Sequence, residues 1–100
     1  MANKIIFLPS ALEELKEIED YYNLEFGKKT TEKVLKNILK TIDRLRDFPN
    51  SGSLTYDNAL NEQGYRMVIS KKYIAIYKYI FDTVYIYHIA NQKRDYSKLF

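Results

Sequence analysis

In the first half of the chain apolar residues recur at helical spacing, and in the second half they come in short runs of strand length. Ala11, Leu15, Ile18 and Tyr22 stand four, three and four residues apart, which places them on one face of a helix. Ser10-Ala11-Leu12-Glu13 at its start is a capping-box pattern, in which the Ser10 hydroxyl accepts from the residue 13 amide and the Glu13 carboxylate reaches back. Gly27 supplies the left-handed residue that closes such a helix, and Thr30 or Thr31 caps the next one. Val34, Leu35, Ile38, Leu39, Ile42 and Leu45 then form a wide apolar stripe, which the spacing assigns to the core. Pro49 forces an end at or near Phe48. The pattern therefore predicts two antiparallel helices joined by a few residues. The outward residues Glu32, Lys33, Lys36, Lys40, Asp43 and Arg44 mix signs, as a solvated face does.

Ahead of the helices, Lys4 to Leu8 is a β-branched and aromatic run stopped by Pro9, the signature of a short edge strand. From 50 to 63 the composition turns to Ser, Gly, Asn, Asp and Thr, which reads as an ordered surface loop. Three strand-like runs follow, at about 65–70, 72–81 and 83–90. Ser70-Lys71-Lys72 and Phe81-Asp82-Thr83 separate them and leave room only for hairpins, so the three form a meander. In the middle run Ile74, Ile76 and Ile80 fall on one face and Tyr73, Ala75, Tyr77, Tyr79 and Phe81 on the other, as in a central strand covered by helices on one side. Lys78 is the one charge between Tyr73 and Phe81. The whole order describes a single α+β domain over 1–100: an N-terminal strand, an antiparallel helical hairpin and a three-stranded antiparallel meander.

Composition narrows what such a domain can do. A hydrophobic share of 46% and a charged share of 29% are those of a globular chain rather than a disordered one. A chain of this length hides somewhat under about 70 per cent of its unfolded surface, so a partner that covers apolar surface would stabilise it. The absence of cysteine removes disulfides, thiolate nucleophiles and zinc-thiolate sites, and a lone histidine argues against a protein-only metal site. No cofactor is expected. Lys4 to Leu8 is too short for a signal-peptide core, and no stretch approaches the roughly 20 apolar residues of a membrane span, so the expectation is a cytoplasmic protein without a membrane partner. The net charge of +3 is unevenly spread: residues 1–50 hold nine Lys/Arg against nine Asp/Glu, and 51–100 hold seven against four. A basic strand surface interleaved with tyrosines suits a polyanion or an acidic protein, or is simply a solvated sheet face.

The order of elements, Phe48-Pro49-Asn50-Ser51-Gly52 after the second helix, and Lys93-Arg94-Asp95-Tyr96-Ser97-Lys98-Leu99-Phe100 at the end together resemble the RelE/ParE family of bacterial toxins over nearly the whole chain. The resemblance implies the plasmid-stabilising toxin half of a type II toxin-antitoxin module, which arrests growth when free of its antitoxin. It also implies a cognate antitoxin whose acidic, amphipathic segment wraps the toxin. In the RelE-like branch, which cuts messenger RNA on the ribosome, it implies a metal-independent endoribonuclease with basic residues on a concave sheet face. Arg66 and Arg94 match two of that branch's positions, His88 or Tyr96 would act as acid or base, and Glu62 is a further candidate. The branch usually has an arginine where this chain has Ile74, and its C-terminal tyrosine aligns with Phe100, which has no hydroxyl. The ParE-like branch implies poisoning of DNA gyrase by protein contact, with no active site. Its helical hairpin with a Pro-x-x-Gly exit looks more like residues 10–52, and Arg94, Tyr96, Lys98 and Phe100 would form a recognition tail. A C-terminal strand with Leu99 and Phe100 docked in the core is the structural alternative for that tail. Ile74 favours the ParE-like reading over messenger RNA cleavage, with a non-toxic relative that only binds its partner as a third reading.

Overall fold

The apolar spacing of the first half becomes α1 (Pro9–Glu25) and α2 (Lys28–Asp43) in the computed structural model of the chain, which describes residues 3–100. Pro9 opens α1, where a missing N–H costs nothing. Because Pro9 already belongs to the helix, Ser10 lies inside it and the predicted capping box does not form; Leu8 is the N-cap, without a side-chain bond. The Ser10 hydroxyl instead donates to the Tyr87 carbonyl at 2.8 Å. Gly27, at φ 91°, is the N-cap of α2. Its carbonyl accepts the Thr31 N–H at 3.2 Å and the Thr31 hydroxyl at 2.9 Å, so the predicted capping threonines lie within the helix. Ile38, Ile42 and Leu45 are buried as the stripe predicts, but Leu39 is 42% exposed because it faces away from the sheet's main core. A 3₁₀ turn, Arg44–Arg46, ends the helical run ahead of Pro49.

The meander is β2 (Arg66–Ser70), β3 (Tyr73–Ile80) and β4 (Thr83–Asn91), and the N-terminal strand β1 (Lys4–Phe7) joins it in parallel alongside β4. The sheet order is β1-β4-β3-β2, with the other pairs antiparallel. Ala75, Tyr77, Val84, Ile86 and Ile89 pack against the buried residues of α1 and α2. The opposite face carries a second core of Leu60, Tyr65, Met67, Ile74, Ile76 and Tyr96. The stretch predicted as loop supplies part of this cover, for it contains a short helix, α3 (Asn58–Glu62). Asp57 caps α3 by accepting the Leu60 N–H at 3.0 Å, and Asn61 ties back to Thr55. Cover runs out toward the β3–β4 turn, where Ile80 is 42% and Phe81 93% exposed.

Two local features set the geometry of β4. First, β1 reaches only as far as Ile86 along its outer edge. Beyond that point α1 side chains replace a strand: Ser10 donates to the Tyr87 carbonyl, and Glu14 Oε1 accepts the Ile89 N–H at 3.0 Å. Second, the register shifts between Ile76 and Tyr77, so that Ile76 pairs with His88 and Tyr77 with Ile86. Tyr87 is left over as a bulge.

Tyr77 locks the exit of the helical hairpin onto the sheet. Its hydroxyl, fully buried, donates to the Pro49 carbonyl at 2.8 Å and accepts the Gly52 N–H at 3.0 Å. A Cβ at Gly52 would lie 2.6 Å from a carbon of the Tyr77 ring, so only glycine fits. Burial pushes the Tyr77 phenol above its ordinary pKa, with the Gly52 N–H and Arg66 pulling the other way. Tyr77→Phe should lower stability by about 1–3 kcal/mol, because it strands a buried carbonyl and N–H, seen as a lower urea midpoint with an unchanged slope. A raised folded-state pKa means that the tyrosine's contribution is complete below the unperturbed value of 10.0 and is lost as the pH rises through the folded value. Stability should therefore fall at alkaline pH, and less steeply in Tyr77→Phe. Some loss remains there because Tyr65 and Tyr73 are raised too.

Candidate functional site

Strict alternation along β4 would send Tyr87 and His88 to opposite faces of the sheet, but the bulge sets them side by side on the face away from the helical hairpin. Phe100 joins them, its ring centroid 4.7 Å from that of His88 and 6.4 Å from that of Tyr87. Tyr65 completes the cluster, 5.0 Å from Tyr87 and 4.6 Å from Phe100. The Lys78 ammonium stands 4.3 Å over the Tyr65 ring and 5.9 Å from Tyr87, a cation held on aromatic faces. Burial, and the neighbouring Tyr87 after it, hold the Tyr65 phenol above its ordinary pKa, so it stays a neutral donor. Tyr65 and Lys78 were not among the residues singled out from the sequence. The available signal was Lys78, the one charge in a strand otherwise apolar on both faces.

His88 is held from behind. Its Nδ1 lies 3.0 Å from Glu14 Oε2, with both side chains mostly buried. The same carboxylate accepts the Ile89 N–H through its other oxygen. With a carboxylate oxygen as the acceptor of this bond, the shared proton is carried on the Nδ1 side. Such a pair orients an imidazole, and Phe100 covers one side of it.

The other candidates are dispersed. Arg66 sits opposite Tyr77 in the β2–β3 register and donates through Nη1 to the Gly52 carbonyl at 3.4 Å. Residues directly opposite share a face, so Arg66 lies on the helical-hairpin side. Arg94 is exposed beyond β4 and lines a shallow cleft with Tyr56, Gln92 and Tyr96. Tyr96 is 5% exposed, and its hydroxyl accepts the Tyr56 N–H at 2.6 Å, which pins the loop before α3. Lys98 is exposed, with its ammonium 4.0 Å from Asp95, and Glu62 is exposed at the end of α3. The terminal segment forms a 3₁₀ turn, Tyr96–Leu99, and not a strand, with Phe100 45% exposed. Of these candidates only His88 and Phe100 touch within the aromatic cluster; among the described residues no hydrogen bond or ion pair joins Arg66 to Arg94. Ile74 is 2% exposed in the second core beside Leu60 and Tyr96. No group of three or more His, Asp or Glu among the described residues could hold a metal ion, and no helix among them is long and apolar enough to cross a membrane.

A helical hairpin on one face of a four-stranded sheet, with a largely buried cluster of aromatic rings and one lysine on the other whose exposed edge is Phe100, defines a small α+β protein. Residues 5–96 match the family model for the ParE toxin of the type II toxin-antitoxin system parDE, and the chain belongs to that family. Among solved structures, "Chromosomal ParDE TA system from P. aeruginosa" superposes with a TM-score of 0.75 at 16% identity, over 90% of this chain and 96% of that one. At that identity the likeness is one of fold. No curated protein sequence matches the chain at a significant level.

Glu14→Ala should destabilise the protein by about 1–3 kcal/mol, because it leaves the Ile89 N–H without its acceptor at the edge of β4. Glu14→Gln keeps an acceptor oxygen there and should lose less. Urea unfolding of both variants checks the order, and nitrogen NMR of His88 reads whether the proton leaves Nδ1 once the carboxylate is gone.

Proposed function

We propose that this toxin arrests growth by poisoning DNA gyrase through protein contact, and not by cutting messenger RNA. The observation that carries the choice is the separation of the two arginines. A metal-independent nuclease needs cations converging on one phosphate as charge develops in the transition state. Arg66 faces the helical hairpin, Arg94 stands in solvent beyond β4, and Ile74 is buried where a third cation would belong. Recognition by contact makes no such demand. Arg94, Lys98 and Phe100 remain exposed at the end of the chain, and arginine and aromatic side chains dominate interface energetics. Tyr96 supports that surface from within by holding Tyr56.

A cognate antitoxin is the second partner, and a groove between β1 and α2 suits its amphipathic segment. Ile5, Phe7, Leu35 and half-exposed Leu39 floor it, and Lys36, Lys40 and Arg46 stand at its rim with Glu32 and Asp43. Its volume is about 730 Å³, and β1 is the edge strand beside it. A disordered acidic segment that folds onto this groove would cover apolar surface that a chain of this size cannot hide for itself.

Brief induction of the chain in a bacterium, with transcript ends and the DNA-damage response mapped in parallel, tests the reading. DNA breaks with whole transcripts are expected, and the purified chain should inhibit supercoiling by gyrase. Arg94→Glu should weaken killing roughly tenfold or more, the loss of one interface hot spot, with an unchanged urea midpoint. Transcript ends clustered inside translated frames would overturn the gyrase reading in favour of ribosome-dependent cleavage, and a folded chain without either effect would be a binding-only relative.

A further inference from the structure

Beside the β2–β3 turn, Tyr22 of α1, one face of α2 and the turn itself line a half-open cavity of about 240 Å³. Its walls are apolar: Tyr22, Val34, Ile38 and Tyr73. The two tyrosine rings lie 6.4 Å apart at 66°, so one offers an edge where the other offers a face, and the Tyr73 hydroxyl donates to that of Tyr22 at 3.4 Å. Burial, and then the Tyr22 hydroxyl, hold the Tyr73 phenol well above its ordinary pKa. Asn37 and Ser70 add polar groups to the lining. Lys33, Lys71 and Lys72 stand around it, and none of the three is in an ion pair among the described residues.

The lysines of the turn are not explained by the turn. Lys71 is held at φ 54°, a conformation that glycine or asparagine adopts without strain. Gln92 fixes the turn from the next strand end: its N–H donates to the Lys72 carbonyl at 2.8 Å, and its side-chain amide donates to the Lys71 carbonyl. Two adjacent ammonium groups are thus carried on an anchored turn, with a third from α2 facing the same cavity. An anion at the cavity mouth is drawn to this positive charge. The cavity volume decides what that anion is attached to. It lies just below the roughly 300 Å³ at which dedicated ligand clefts begin, which suits one planar ring system and not a folded peptide segment.

We propose that this cavity binds a nucleoside phosphate, with the base lying against the wall that Tyr22, Tyr73, Val34 and Ile38 form and the phosphates on Lys33, Lys71 and Lys72. Asn37 and Ser70 meet the edge of the base. Aromatic faces for bases beside lysines for phosphates is the division of labour by which proteins hold unpaired nucleotides. The same chemistry is offered by a free nucleotide and by an unpaired nucleotide of a single strand. The cavity shares no lining residue with the groove beside β1, and it lies on the opposite side of the sheet from the His88 and Phe100 cluster, so its occupant leaves both open.

Calorimetric titration of the purified chain with ATP, with tripolyphosphate and with a short oligothymidylate tests the proposal. ATP or the oligonucleotide should bind at least roughly tenfold more tightly than tripolyphosphate, and a Lys33→Glu, Lys72→Glu double variant should lose roughly tenfold or more. Both lysines are exposed, so the variant should keep its urea midpoint. Tighter binding of ATP assigns the site to a free nucleotide, and tighter binding of the oligonucleotide assigns it to a strand; either supports the proposal. Tripolyphosphate binding as tightly as ATP, an undiminished affinity in the double variant, or no binding of any probe overturns it.

Discussion

A buried backbone edge must find partners, and in this fold that requirement falls on β4. Its outer edge extends past the four residues of β1, and N–H and C=O groups left there without water or a strand would each cost about 1–3 kcal/mol. Ser10 and Glu14 meet the need from the first turns of α1. The consequence is reciprocal. The same bonds that complete the sheet fix where α1 crosses it, and with α1 they fix the helical hairpin as a whole. Glu14 then has a second oxygen to spare, and the bulge brings His88 to it. One constraint on backbone pairing thus sets the placement of the helices and the orientation of the imidazole.

The central strand works in the same way on the other side of the hairpin. Tyr77 is a core residue by burial and a tether by chemistry, for its hydroxyl joins the Pro49 carbonyl to the Gly52 N–H. This gives the Pro-x-x-Gly segment a physical reason. The proline ends the helical run and offers a carbonyl, while the glycine offers an N–H with no side chain to collide with the phenol. Behind the same strand, Ile74 and Ile76 enter the second core with Leu60 and Tyr96. β3 is apolar on both faces because the two cores share it.

Much of this was legible in the chain. Helical spacing located α1 and α2, the short hairpin connections located the meander, and the apolar double face of the 73–77 stretch marked its central strand. What escaped depended on tertiary contact. Asp57 reads as one more polar loop residue until Leu60 has an aromatic core to enter, and only then does α3 form around its cap. Ser10 fits a capping box by pattern, yet with Pro9 as the first helical residue the N-cap falls two residues earlier, at Leu8, and the Ser10 hydroxyl is free for Tyr87. Leu39 belongs to the stripe by spacing, but the stripe is wider than the sheet beneath it. For the site residues the missing information was register, since type and spacing alone do not say which face a strand residue takes.

Register is also what separates the two chemistries considered for this fold. A slip of one residue in β2 would carry Arg66 from the helical-hairpin face to the opposite face, the side of the sheet on which Lys78 and the aromatic cluster lie. The pairing of Arg66 with Tyr77 prevents it, because Tyr77 is committed to the Pro49–Gly52 segment and cannot turn over. On β4 the bulge does the opposite and turns His88 onto the open face. Arg66 and His88 are therefore kept on different sides of the sheet by two features that meet on β3, its register with β2 and its bulged pairing with β4, so the side chains that share a face with His88 are aromatic rings and one lysine held by π contact and not a second cation from β2.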